Sequence, residues 1–527
     1  MTGSGTYRTA GGDAPEAAVD GRASTDPAEN LAPTLRRGAM VSAGALIFVQ
    51  LVTLAQTLAL ARILSPAEVG IFYAGTVLLS SLLTFSEGGL RNALVQRQHG
   101  LEEAANTVFW ASLGAGLLLA VVAAAAAPLV GWAFDSSTAG LIAAVSAGTI
   151  VLQALTNVPD SLMQRRFDFR QRMFVQPSVT VSFAVVSVIL CSMGFSVWGM
   201  VIASYVSLLV WVAVTSWILA RWRPRRGQAS VQVWREMAGF GVPLVLGSFV
   251  DKGRDVFETV VVGSALGAAA LGNYRYGRRL GMLPGTVVIE IGSYVLFPAF
   301  SRMARDPARF KSAFLRALRA LWIMAAPVAG LIVAIGAPLV VLLLGDPWRD
   351  AGVMFAALAG TGPGVAMAAV GFEAIKGYGR TSLLNWVTGF ATVLGVALLL
   401  ALLPLGLVGV GLALSIESFL SGFLGLLLAR GLVDVSLREL ADRLVPPLLA
   451  AVLASVSIGL LEHLVIHADQ RGIALGLAIV LCEGLCFLAI YAGTLYAIAP
   501  ASVTELRAAV RMLRLGETGR DGDLEAT

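Results

Sequence analysis

The sequence predicts an all-α polytopic membrane protein of about fourteen transmembrane helices, built as two six-helix lobes with pseudo-twofold symmetry plus two C-terminal helices. Three observations predict it. The 527 residues are 57% hydrophobic and only 13% charged, where a soluble chain carries about 25% charged residues. Mean hydropathy is +0.79, and apolar runs of about 20 residues, the length that crosses a bilayer, recur from Gly38 to Pro500. Two stretches also repeat, six spans apart.

Residues 1–35, rich in Gly, Ala, Thr and acidic residues, read as a disordered cytosolic tail rather than a signal peptide. The N-lobe, 36–222, follows with spans at about 39–64, 69–95, 107–133, 139–160, 173–194 and 196–220. The C-lobe, 223–431, holds spans at about 237–263, 276–301, 317–344, 352–376, 383–404 and 406–430. Spans thirteen and fourteen, about 443–464 and 472–498, fill 432–500. In the last segment, 501–527, Leu506, Val510 and Leu513 share a helical face beside Arg507, Arg511 and Arg514. That pattern predicts an amphipathic tail on the inner leaflet.

Basic residues orient the spans. With the N-terminus inside, Arg165, Arg166, Arg170 and Arg172 fall in one cytosolic connection, Arg221, Arg223, Arg225 and Arg226 in the next, and Arg302, Arg305, Arg309 and Lys311 in a third. Connections at Asp135, Ser196 and Gly406 carry no Lys or Arg. Both termini are therefore expected in the cytosol. Arginine outnumbers lysine more than tenfold, as in high-GC bacterial genomes, which suggests a bacterial cytoplasmic membrane. The basic balance is a topology signal and implies no nucleic-acid partner. Cys191, Cys482 and Cys486 lie in apolar runs and form no disulfide framework or metal cluster. His463 and His467 near Glu462 and Asp469 have zinc-like spacing but read as an interfacial pair; no cofactor or metal is expected.

The repeat has an offset of about 202 residues: Leu64 and Gly70 match Leu266 and Gly272. A second pair, Gly194–Gly199 against Pro404–Gly409, follows in the same order. Six intervening spans preserve orientation, so the halves should be related by an axis along the membrane normal.

Charged residues break the apolar pattern in spans seven and eight. Asp251, Lys252, Arg254, Asp255 and Glu258 lie in the first, and Arg275, Arg278, Arg279 and Glu290 in or beside the second. A charge at the centre of a lone helix in lipid costs about 2.5–3.5 kcal/mol, so these groups must face a polar interior. Asp251, Arg254, Asp255 and Glu258 fall within about 100° of arc, with Lys252 just off the stripe. Arginine forks grip phosphate oxygens, and carboxylates beside them can carry a proton or sodium. The bland alternative is a set of internal ion pairs, since Arg254 and Glu258 are four apart. In the N-lobe Gln50, Thr53 and Thr57 share a face, Gln50 and Thr53 matching Lys252 and Asp255. Glu87 and Arg91 form an i,i+4 pair that gates one side or is merely structural. Glu373, Glu417 and Glu483 are further intramembrane carboxylates, ranked below span seven.

Leu60–Phe72, Glu87–Arg97, Gln164–Arg170 and Gly194–Gly199 resemble segments of Wzx-type flippases of the multidrug/oligosaccharidyl-lipid/polysaccharide exporter superfamily, over about residues 38–440. The resemblance implies an oligosaccharide on a polyprenyl diphosphate as substrate. Arg254, Arg275, Arg278 and Arg279, with Lys252, Gln50 and Thr53, would hold the substrate; Asp251, Asp255, Glu258 and Glu290 would couple to an ion gradient. Membrane lipids, and a polysaccharide polymerase and glycosyltransferases, are the implied partners. A peptidoglycan-precursor flippase and a multidrug cation antiporter share the fold and stay open as alternatives. A membrane glycosyltransferase or polymerase fits less well: the one Asp-x-Asp, Asp521 to Asp523, lies in the tail, and external connections are short.

Overall fold

The computed structural model describes residues 27–87, 89–165, 169–218, 222–225, 227–291 and 295–500. Among them the chain is helical, with no strand. The first half comprises α1 (Pro27–Ile63), α2 (Pro66–Glu87), α3 (Leu90–Gln96), α4 (Leu101–Ala133), α5 (Ser137–Ser146), α6 (Gly148–Arg165), α7 (Phe169–Leu190) and α8 (Val197–Ile218). Then come α9 (Val231–Ile291), α10 (Phe297–Met303), α11 (Pro307–Leu344), α12 (Arg349–Ala357), α13 (Thr361–Gly377), α14 (Ser382–Leu402) and α15 (Gly406–Val433). Two last helices, α16 (Leu437–Leu461) and α17 (Ile473–Ile498), complete the bundle.

The described part of α1 begins at Pro27, inside the segment expected as a tail. The amphipathic helix expected over 501–527 lies outside the described residues. Eleven helical stretches among the described residues are long and apolar enough to cross a membrane. The number differs from fourteen because Lys252–Gly285 and Ser382–Val433 each join parts of two expected spans, and Pro66–Ser80 is a shorter apolar helix. Within span ten a single tight turn, Leu358–Gly360, joins α12 to α13.

Contacts sort the helix ends onto two faces. On one, Arg62 donates to the Leu342 and Leu343 carbonyls at 2.7 and 3.0 Å, and the Trp348 indole donates to Ala61 O at 2.8 Å. Ser196 donates to Glu68, and Arg349 pairs with Asp469 at 2.6 Å. These residues sit at the connections that the arginine count places outside. The other face joins Arg225 to Glu102 at 3.0 Å, Arg97 to Glu236 at 3.2 Å and Lys311 to Glu439 at 3.0 Å.

The repeat is visible as a reciprocal contact on the first face. A Cβ built on Gly70 would lie 1.8 Å from Ala268 O, and one on Gly272 would lie 1.9 Å from Pro66 O. Pro66 and Ala268 are themselves 202 apart, as are Gly70 and Gly272, so each half presents the same patch to the other. That is the geometry of a twofold contact. Only glycine permits α2 and the second part of α9 to approach so closely, as at the small-residue crossings of membrane helices. Stacking of Tyr276 on Trp348, centroids 4.3 Å apart, closes the same seam.

Away from the seam lie three further cores. Phe300, Phe310, Phe314, Trp322 and Met367 are buried among α10, α11 and α13. Leu94, Val108 and Val158 are buried among α3, α4 and α6, together with Val233 and Met237 from the start of α9. Helices α16 and α17 lie on α11 through Ala326, Ala451 and Phe487.

Candidate functional site

Helix α9 breaks at Gly267, where φ is 86° and ψ 174°. Positive φ strains any side chain that carries a Cβ, and a Cβ here would meet nothing within 4 Å. The constraint is therefore conformational rather than steric. The break folds α9 into a hairpin of two limbs, so residues equidistant from Gly267 meet.

That hairpin assembles the charges. Arg254 on the first limb donates to Glu258 at 2.8 Å and reaches across to Glu417 on α15, also at 2.8 Å. From the second limb Arg278 binds Glu258 at 2.8 Å and Asp255 at 3.0 Å. Tyr274 donates to Glu258 at 3.0 Å. Arg275 donates to Thr259 and stands 3.7 Å from Asp255. Three arginines thus face three carboxylates, and the cluster is neutral as a whole. The sequence offers Arg254 alone as counter-charge on the stripe of span seven; Arg278 and Arg275 also serve, because the hairpin returns them to it.

Two cavities meet at Asp255. One, of about 250 Å³, is lined by Arg254, Asp255, Glu258, Arg278, Glu417 and Ser418. The other, of about 420 Å³, extends into the first half, with Thr76, Ser146, Thr149, Gln153, Ser204 and Ser207 among its lining. Asp255 and Arg275 form its wall toward the second half. Arg275 is the least satisfied cation of the three: its Nε is buried without a hydrogen-bond partner. Its guanidinium lies over the Tyr73 ring, 5.1 Å from the centroid.

Removing one partner of a buried pair strands the other and costs about 3–5 kcal/mol. Arg254→Met, which leaves Glu417 without its cation, should accordingly lower the melting temperature of the detergent-purified protein. The double variant Arg254→Met/Glu417→Leu should recover most of the loss. Parental stability in the single variant would show that the pair carries no weight.

Residues 59–352, more than half of the chain, match the family described as polysaccharide biosynthesis protein. The chain belongs to that family. It is similar to the succinoglycan biosynthesis transport protein ExoT of Rhizobium meliloti, at 27% identity over 62% of this chain and 66% of that protein. The lipopolysaccharide biosynthesis protein WzxC of Escherichia coli is 24% identical over 59% of this chain and 64% of its own. The chain thus spans just under two thirds of the length of these two relatives. Teichuronic acid biosynthesis protein TuaB of Bacillus subtilis is 20% identical over 76% of this chain and 83% of its own. Among solved structures, the lipid II flippase MurJ in an inward closed conformation superposes with a TM-score of 0.68 at 15% identity, covering 87% of this chain and 99% of that one. An inward-facing multidrug resistance transporter of the MATE family gives 0.59 at 18% identity over 73% and 94%. This polysaccharide biosynthesis family member therefore shares the fold of those two structures, and of the sequence relatives ExoT is named a transport protein.

Of the other residues singled out from the sequence, Lys252 and Gln50 are exposed, while Thr53 and Arg279 are half-buried. Thr53 accepts the Thr57 hydroxyl on its carbonyl at 2.8 Å. The side chains of Asp251, Glu290 and Glu87 lie outside the described residues. Arg91 has a partner the sequence did not suggest: Asp160 on α6, at 3.1 Å. Glu417 proves to be part of the cluster rather than a lesser carboxylate, and Tyr274 and Thr259 are added to it. Their signal in the sequence is distance from Gly267: Thr259 and Arg275 lie equally far on either side.

At the repeat offset Glu258 corresponds to Gln56 and Thr259 to Thr57. Both first-half residues are buried, and Gln56 donates to Ser187 on α7 at 3.2 Å. The first half thus repeats the polar positions of the second without their charge.

Proposed function

We propose that this chain carries an oligosaccharide linked to a polyprenyl diphosphate across the bacterial cytoplasmic membrane, for cell-surface or exopolysaccharide biosynthesis. Two lobes, 36–222 and 223–431, alternate access to the site between them, with both termini cytosolic. The observation that carries this reading is Arg275. It is a cation with an unused donor, on the wall of a cavity that carries serine and threonine hydroxyls and the Gln153 amide among apolar residues such as Phe72, Leu79 and Phe183. Diphosphate oxygens suit the free Nε–H and the guanidinium fork, while the serines and threonines of the first half suit sugar hydroxyls. Arg254 and Arg278 serve the head group through Asp255 and Glu258, whose charges they balance. Asp255 is the coupling group that the geometry favours. Glu258 is buried and holds three donors, whereas Asp255 keeps 29% of its side chain exposed and shares the longest ion pair. A head group that takes Arg275 leaves Asp255 free to accept a proton or sodium.

The seam at Gly70 and Gly272 lies on the face expected outside, so the lobes are closed there. Relatives named for succinoglycan, lipopolysaccharide and teichuronic acid support a polymer precursor as cargo. Cells lacking the chain should accumulate lipid-linked oligosaccharide on the inner leaflet and lose surface polymer. Normal polymer without accumulation would contradict the reading.

A further inference from the structure

Two buried carboxyls lie outside the cluster between the halves. Glu462 follows the last residue of α16 and Glu483 sits within α17; they are 1% and 4% exposed. One Glu462 oxygen accepts the Ala468 amide at 2.8 Å, which fixes the side chain. Its Oε2 and both oxygens of Glu483 are buried and meet no donor. What Glu483 faces is the Glu462 carboxyl, acceptor against acceptor.

Ionised carboxylates only accept hydrogen bonds, and two that share a site cannot both stay charged without a cation. No cation is at hand. Of the charged and titratable groups on the packed elements, His463 is exposed, and Arg349 is taken by Asp469. Arg471 donates to Ile466 O at 3.2 Å, and the half-buried His467 imidazole donates neither to Glu462 Oε2 nor to Glu483. The surrounding core, Ala334, Ile335 and Leu342 of α11 with Val480 and Phe487 of α17, is apolar. Among the described residues no third metal-ligating side chain joins the pair, and a hard cation asks for about six oxygens. A proton asks for two.

We infer that Glu462 and Glu483 share one proton at neutral pH, forming a proton site apart from the cluster at Arg254 and Arg278. The shared proton turns two repelling acceptors into a hydrogen bond that ties α16 to α17. Its loss places two negative charges in an apolar junction, which is strongly unfavourable. The site stands whichever substrate the lobes carry.

Infrared difference spectra of the purified full chain test it. The parent should show a protonated-carboxyl band at neutral pH that shifts in heavy water. That band should be lost in both Glu483→Gln and Glu462→Gln, either of which removes the pair. Thermal unfolding gives a second reading that does not depend on transport. The parent should lose stability as pH rises from the ordinary carboxyl range to the point where the shared proton leaves, while Glu483→Gln, a permanent stand-in for the protonated group, should not. Absence of the band in the parent, its persistence in both variants, or a parental pH profile in Glu483→Gln would overturn the proposal. Replacement of the band by sodium at constant pH would also overturn it, in favour of a cation site.

Discussion

Leucine at Gly70 or at Gly272 should abolish export in cells that still insert the protein. A Cβ at either position falls within 1.8–1.9 Å of a carbonyl oxygen of the facing helix, about half an ordinary contact distance. The obstructing atoms belong to backbone, so no rotamer change relieves the clash. Helix α2 and the second limb of α9 must separate, and the closed arrangement of the first face is lost. A carrier that cannot close one face cannot complete its cycle. The matching readout is accessibility: a cysteine at Ser196 should label faster in the leucine variants than in an otherwise identical parent. Gly114→Leu is the control, because a Cβ there meets nothing within 4 Å. Full export in both seam variants would show that this contact takes no part in transport.

Arg275→Gln is expected to have the next largest effect. The substitution keeps hydrogen-bonding capacity toward Thr259 but removes the charge and the fork. Losing a hydrogen bond between charged partners costs about 1.5–3 kcal/mol, roughly a 10- to 150-fold weakening of head-group binding. Arg275→Lys keeps the charge without the planar fork and should fall between. Surface polymer, measured at equal protein level in the membrane, checks both. Asp255 loses its 3.7 Å neighbour in either case, but Arg278 still holds it at 3.0 Å, so the fold should survive. Parental export in both variants would make Arg275 a structural residue.

Much of the fold was legible because it follows from composition and period. Apolar runs locate the helices, and arginine asymmetry sorts their ends onto the two faces that the contacts at Arg62–Leu342 and Lys311–Glu439 define. The repeat at Gly70 and Gly272 was also readable, although its meaning as a contact between the two copies was not. A helical wheel puts Arg254, Asp255 and Glu258 on one stripe. It does not give their partners, because pairing across a hairpin depends on where the helix breaks. A glycine such as Gly267 is compatible with a continuous helix until its φ is known. Glu417 was underrated for a related reason: nothing in its own helix marks it, and its role comes from Arg254 reaching across from another helix. Asp160 escaped in the same way, since the i,i+4 rule offers Arg91 only neighbours on its own helix.

The most direct test places purified protein in liposomes with oligosaccharide linked to polyprenyl diphosphate, and follows the sugar's passage between leaflets with a membrane-impermeant lectin or glycosidase. The parent should accelerate passage of the diphosphate-linked sugar far more than that of a neutral glycolipid with the same sugar, and Arg275→Gln should erase the difference. Equal acceleration of both lipids by the parent, or passage of neither, would contradict an anionic head group held at Arg275 between two alternating lobes.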